Sequence, residues 1–136
     1  MTTANVATGG CLCGGVRYRV EGALRNVIAC HCSQCRRSSG HFVAATGARS
    51  DQLHFERDET LAWYASSAHA RRGFCRRCGS SLFWQPTAGD QSWTSIMAGS
   101  LDPPTHLTIE RHIFVADKSD YYTITDGVPQ QAQWEP

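Results

Sequence analysis

Nowhere does the chain string together the roughly 18 apolar residues that a membrane-spanning helix requires. Its opening, MTTANVATGG, has neither the basic start nor the apolar run of a secretory signal. These two absences set the expectation of a cytoplasmic protein without membrane contact. An excess of charge of one sign is missing as well: Lys and Arg number 13 against 12 Asp and Glu, a formal net charge of +1, and no long basic arm is present. A dedicated nucleic-acid binder, which needs a basic face, is therefore not expected. Linkers, low-complexity tracts and internal repeats are also absent, so the 136 residues read as one domain spanning 1–136. A chain of that size removes on the order of two-thirds of its unfolded surface from water and folds without covalent staples.

What the sequence does have is cysteine, 7 in all. Disulfides are poor candidates in a reducing compartment, and an odd number cannot pair completely within one chain, which turns the question to metal or catalysis. The cysteines fall in three groups: Cys11 and Cys13 in CLC, Cys30, Cys32 and Cys35 in CHCSQC, and Cys75 and Cys78 in CRRC. CRRC followed by Gly79 has the form of a zinc knuckle, a tight turn that aims two thiolates and neighbouring amides at one ion. Two local pairs supply the four soft ligands of a closed tetrahedral site. Cys11, Cys13, Cys75 and Cys78 are accordingly assigned to a structural zinc whose binding energy becomes folding energy. Cys30, Cys32 and Cys35 are left for a second zinc, and a three-ligand ion keeps a position for water or substrate, the usual mark of a catalytic site. Spacing leaves a second partition open, in which CRRC joins two members of CHCSQC and CLC is spare. With seven thiolates and two Zn²⁺ the formal charge becomes about −2.

Short runs rich in branched and aromatic residues, broken by Gly, Asp, Pro and Ser, predict a mainly β fold. In VRYRV, Val16, Tyr18 and Val20 alternate with arginines as in a half-buried strand. RNVIAC, HFVAATGA, QLHFE, LAWYA, RRGFC, SSLFWQP, SWTSIMAGS and LTIERHIFVAD continue the series. The first eight residues read as loose, and GGCLCGG as a turn. Helix is expected only at SQCRRSS, where Ser33 and Gln34 are candidate caps, and near Ser100 to Asp102. Prolines make Leu101 to Thr105 a loop, and the polar tail with Trp134 reads as a peripheral extension.

Other residue types are weighed against these groups. His31, between two ligands, is expected to point away from the ion, either supporting the ligands from behind or lying on the surface; His41 is a less favoured fourth ligand; His54, His69, His106 and His112 default to strand faces or loops. The pairs Arg36–Arg37, Arg71–Arg72 and Arg76–Arg77 sit beside the cysteines in sequence, either compensating thiolate charge or, above all at Arg36–Arg37, forming a fork for a substrate carboxylate. Trp63, Trp84 and Trp93 are expected in the core or a cleft wall.

GGCLCGGVRY, CHCSQCRRSSG, GFCRRCGSSLFW and, near the end, HIFVADKSDYYTITDGVPQ together resemble the glutathione-dependent formaldehyde-activating enzyme family, also called centromere-protein-V-like, from about Gly9 to Pro129. The resemblance implies a small zinc-containing Mss4-like β fold with minor short helices. It also implies two zinc ions, a structural one on Cys11, Cys13, Cys75 and Cys78 and an active-site one on Cys30, Cys32 and Cys35. The implied activity is that of a carbon–sulfur lyase, forming or cleaving an adduct between glutathione or another small thiol and formaldehyde or a related aldehyde. The rival expectation is a non-enzymatic zinc module that binds protein or nucleic acid, and a third is a sensor whose open cluster oxidises or exchanges its metal.

Overall fold

A computed structural model describes residues 6–135. In chain order the strands are β1 (Val6–Gly10), β2 (Arg17–Glu21), β3 (Val27–Cys30), β4 (Val43–Arg49), β5 (Leu53–Arg57), β6 (Leu61–Ala65), β7 (Ala70–Cys75), β8 (Ser81–Pro86), β9 (Trp93–Met97) and β10 (Ile109–Ile113). The one described α-helix, α1 (Ser33–Ser39), joins β3 to β4, and three 3₁₀ turns complete the regular structure. The chain is mainly β, as its turn-punctuated runs predict. No helix among the described residues is long and apolar enough to cross a membrane.

Two sheets are formed, one in the order β1-β2-β5 and a seven-stranded one in the order β10-β3-β4-β9-β8-β7-β6. The named strands pair antiparallel except β10, which lies parallel to β3 with His112 opposite Ala29 and Ile113 opposite Cys30. That parallel pair brings the end of the chain back to the CHCSQC segment. β2 alternates as its sequence predicts, with Tyr18 and Val20 buried and the arginines between them half-buried.

Of the segment expected to be loose, residues 1–5 lie outside the described residues, but Val6, Ala7 and Thr8 form β1 with Gly9 and Gly10. Small residues conceal this strand from propensity while allowing close approach. A Cβ on Gly9 would lie 2.4 Å from both the Ser100 carbonyl oxygen and the Tyr18 hydroxyl, so only glycine fits.

The larger core cluster contains Val16, Tyr18, Val20, Leu82, Phe83 and Ile96 and includes Cys11 and Cys75. Tyr18 meets Phe83 edge to face at 5.3 Å. A second cluster, Val43, Ala45, Met97 and Cys35, packs with Cys30, Cys32 and Trp84. Each core cluster therefore carries one group of thiols at its margin.

Candidate active site

The first thiol group is built by two turns of similar design. One joins β1 to β2 and carries CLCGG; the other joins β7 to β8 and carries CRRCG. Gly14 and Gly79 both have φ near +82°, the left-handed region that lets each turn close without a Cβ clash. The Gly14 amide donates to the Cys11 carbonyl at 3.3 Å and the Gly79 amide to the Cys75 carbonyl at 2.8 Å. The turns face one another, so the Sγ atoms of Cys11, Cys13, Cys75 and Cys78 all lie within 4.8 Å of each other, with Cys13 3.6 Å from both Cys11 and Cys75.

Donors surround these sulfurs. The Val16 amide donates to Cys11 Sγ at 3.2 Å, the Cys78 amide to Cys75 Sγ at 3.4 Å, and Arg77 Nε to Cys13 Sγ at 3.3 Å. The Ser80 hydroxyl and amide hold the Cys78 thiol down to about 5. Burial pushes the Cys75 thiol up, but the Thr60 hydroxyl and the amides of Cys78 and Arg77 outweigh it and bring it to about 7. Burial raises the Cys11 thiol. At Cys75 and Cys78 the environment favours thiolate, the form that binds metal, and the four thiols together could hold one ion.

The second group stands where β3 ends and α1 begins. Cys30, Cys32 and Cys35 again place their Sγ atoms within 4.8 Å of one another. Cys32 is the N-cap of α1, its sulfur accepting from the Cys35 amide at 3.3 Å, and Gly40 closes the helix in the left-handed conformation. The cap is thus the cysteine itself rather than Ser33 or Gln34; Gln34 instead donates to the Ser66 carbonyl at 3.3 Å. Hydrogen bonds from Cys30 and Cys35 pull the Cys32 thiol well down, while sharing with Cys32 drives Cys30 up. Arg72 Nη2 lies 3.7 Å from Cys35 Sγ and 3.5 Å from Gln34 Oε1. The sequence thus yields one group of four and one of three, and the alternative partition, which would split CHCSQC, is not the arrangement formed.

The two groups differ in what lies before them. The three thiols open on a cavity of about 470 Å³, within the range of small-molecule sites. Its walls are largely apolar, with Trp84, Met97, Phe114 and Trp134 among them, and two guanidinium-bearing residues, Arg25 and Arg72, also line it. No Asp or Glu belongs to this lining among the described residues. Arg25 donates to the Asn26 and Ala45 carbonyls and has no carboxylate partner among the described ion pairs. Its burial depresses its basicity, as expected for a cation shielded from water.

Several sequence expectations are corrected by this geometry. Arg36 and Arg37 face away from the cavity, toward Lys118 and Tyr121, because α1 turns them outward; the arginines that line the cavity are Arg25 and Arg72. Trp84 is a cavity wall and Trp63 packs against Phe83 with Arg71 stacked over it at 3.9 Å, but Trp93 is about half exposed. Trp134 lies in a largely exposed tail and is itself about half exposed, yet it also lines the cavity. Residues 129–133 return hydrogen bonds to His112, Phe114, Val115 and Ala116, which lays the tail along β10 and sets Trp134 at the cavity, under the Arg111 guanidinium at 4.5 Å. His41 bonds the Tyr121 hydroxyl at 2.8 Å and belongs to neither thiol group.

His31 does turn away from the thiols, but not to the surface. It is 1 % exposed, and its Nε2 lies 2.8 Å from Nδ1 of His112, itself 1 % exposed, whose Nε2 lies 2.8 Å from Asp126 Oδ2. Sequence reasoning left His112 on an ordinary strand face. The parallel β3–β10 pairing, which joins the two histidines, has no local signature.

Comparison with known proteins follows the same lines. An uncharacterized lyase of Schizosaccharomyces pombe is 29% identical over 115 residues, covering 84% of this chain and 82% of that protein. A crystal structure of a Rhodobacter sphaeroides protein shares the fold with a TM-score of 0.59 at 24% sequence identity, covering 90% of this chain and 98% of that one. The family described as glutathione-dependent formaldehyde-activating enzyme matches residues 6–117, a span that contains every cysteine. With that match extending over most of the chain and both thiol groups, the chain belongs to the glutathione-dependent formaldehyde-activating enzyme family.

Proposed function

We propose that the chain is a zinc-dependent carbon–sulfur lyase of the glutathione-dependent formaldehyde-activating type, in which Cys11, Cys13, Cys75 and Cys78 hold a structural ion and Cys30, Cys32 and Cys35 an active-site ion. The donor sets suit zinc. A tetrahedral ion with Zn–S bonds of about 2.3 Å separates its sulfurs by roughly 3.8 Å, close to the 3.6 Å spacings in the four-thiol group. The observation that carries the reading is the contrast between the groups: four thiols close on themselves, while three open on a cavity large enough for a small substrate.

The reaction is an addition and its reverse. The sulfur of a thiol bonds to the carbonyl carbon of formaldehyde or a related aldehyde, the carbonyl π pair moves to oxygen, and the thiol proton ends on that oxygen; cleavage returns each. Cys30, Cys32 and Cys35 would hold a zinc ion, which would supply Lewis acidity and favour the thiolate form of a substrate thiol. The protein supplies the rest. Arg72 offsets the charge of the cysteine cluster, its guanidinium, which also donates to Gln34 Oε1, is the polar donor beside the reacting centre, and the apolar walls exclude water. Arg25 gives the cavity a cationic wall suited to a carboxylate on the thiol, as glutathione has. A module using both ions for structure alone would leave this cavity without a purpose. Seven unbridged thiols suit a reducing compartment such as the cytoplasm.

The test is an optical titration of the Co²⁺-substituted protein, whose thiolate-to-metal bands report sulfur ligation. Glutathione should intensify them to saturation and S-methylglutathione should not; with formaldehyde added, the hydroxymethyl thioether should form at an enzyme-dependent rate seen by ¹³C NMR. Bands unchanged by glutathione at full occupancy of two metals would refute glutathione as the thiol.

A further inference from the structure

The two most completely buried histidines of the chain are engaged with each other and with one acid, and the reaction uses none of the three. His31 stands between Cys30 and Cys32; its ring packs against Phe42 at 4.9 Å and stacks with Tyr122 at 6.2 Å. Its backbone amide donates to the Ile113 carbonyl at 2.9 Å. The residue separating two of the three thiols is therefore held by backbone, by ring packing and by its side-chain nitrogen.

A carboxylate accepts, so His112 Nε2 carries a proton toward Asp126 Oδ2, and a single proton between His31 Nε2 and His112 Nδ1 completes the second hydrogen bond. Both contacts are 2.8 Å, so the two rings and the carboxylate form one continuous hydrogen-bonded chain. Asp126 is fixed in turn: its Oδ1 accepts from the Val128 amide at 3.2 Å, in the turn made by Gly127 with φ +78°. The segment that follows is bonded to β10, where the Pro129 carbonyl accepts from the His112 amide and the Gln131 amide donates to the His112 carbonyl, each at 2.9 Å. Asp126 lies beyond the segment that matches the family.

We propose that Asp126, His112 and His31 form a positioning chain for the three-thiol centre, holding the Cys30–Cys32 turn in the geometry that grips a metal ion. This rests on the reading of Cys30, Cys32 and Cys35 as metal ligands. The chain acts on metal affinity through orientation, as hydrogen-bonded partners behind a ligand shell do. It gives the segment after residue 117 control over a centre whose ligands end at Cys35.

The experiment measures zinc retention at the two centres separately, by competition of the zinc-loaded protein with a chromophoric chelator. Asp126 is the residue to change, because its side chain is 40% exposed and truncation opens no core cavity. Asp126→Ala is expected to weaken the three-thiol centre about 10- to 100-fold and to leave the four-thiol centre within about twofold, which also reports that the fold persists. Asp126→Asn should restore near-native retention, since its amide oxygen still accepts from His112 Nε2. In Co²⁺-substituted protein the d–d bands of the three-thiol centre should shift in the alanine variant and not in the asparagine one. Retention unchanged in Asp126→Ala, or equal weakening at both centres, overturns the positioning role. A wild-type protein that binds one zinc, at the four-thiol group alone, overturns the metal reading and the proposal with it.

Discussion

Replacing the exposed Cys13 in one group and the half-buried Cys32 in the other tests for a fold-closing centre and a local one. Cys13 is exposed, so Cys13→Ser removes a metal bond without opening a core cavity. Cys32→Ser is matched to it, since serine caps a helix at least as well as cysteine and preserves α1. Cys13 and Cys75 are 62 positions apart. Closing a loop of that length removes about 4 kcal/mol of chain entropy from the unfolded state, whereas closing the short span from Cys30 to Cys35 removes about 2 kcal/mol. For a chain of this size each kcal/mol moves Tm by roughly 3–4 °C. The zinc-loaded Cys13→Ser protein should therefore melt about 15 °C below wild type and Cys32→Ser about 7 °C below, in calorimetric scans at equal protein and zinc concentrations. Activity orders the other way, with Cys32→Ser folded and inactive. Equal Tm losses, or a Cys13→Ser deficit that persists after zinc is removed from both proteins, would refute the cross-link argument.

Arg25→Gln should raise the Kd of glutathione about tenfold in calorimetric titration of the zinc-loaded protein while leaving its diethyl ester unchanged; equal loss for both ligands would remove Arg25 from carboxylate recognition. Gly79→Ala meets no atom within 4 Å, so its cost is the left-handed φ of +82° alone, about 1–2 kcal/mol, read as a lower Tm with zinc stoichiometry intact. Burial pushes the Tyr18 hydroxyl up from 10.0 to about 12. Its neutral form then stabilises the fold fully below pH 10 and progressively less as pH rises toward 12, a loss of about 3 kcal/mol. Tyr18→Phe gives up the 2.6 Å bond to Ser100, about 1 kcal/mol, so it should be the less stable protein at pH 8 and the more stable at pH 11.5. A constant gap between the two melting curves would exclude this linkage.

How far the sequence leads depends on the range of the interaction involved. Cysteine groups declare themselves because a metal site needs several donors within a few ångströms, and local pairs are the economical way to bring them there. α1 is legible for a similar reason, its short polar run being closed by Gly40. β1 escapes notice because Gly9 and Gly10 are chosen for close approach to Tyr18 and Arg17, a demand of pairing that runs against strand propensity. Arg36 and Arg37 mislead because adjacency to a cysteine in sequence says nothing about which side of a helix they take, whereas Arg25 reaches the cavity from the loop before β3 and Arg72 from β7. Trp134 and the buried histidines depend on a parallel strand and a returning tail, both set by tertiary pairing.

One strand serves both thiol groups. β7 presents Arg72 to Cys35 and, three residues later, ends at Cys75, a separation of about 10 Å along an extended chain. The centres are therefore wired in series. Under the proposed two-ion reading, loss of the ion from the four-thiol group would free the end of β7 and loosen the guanidinium that faces the other cysteines, so metal loading would have an order.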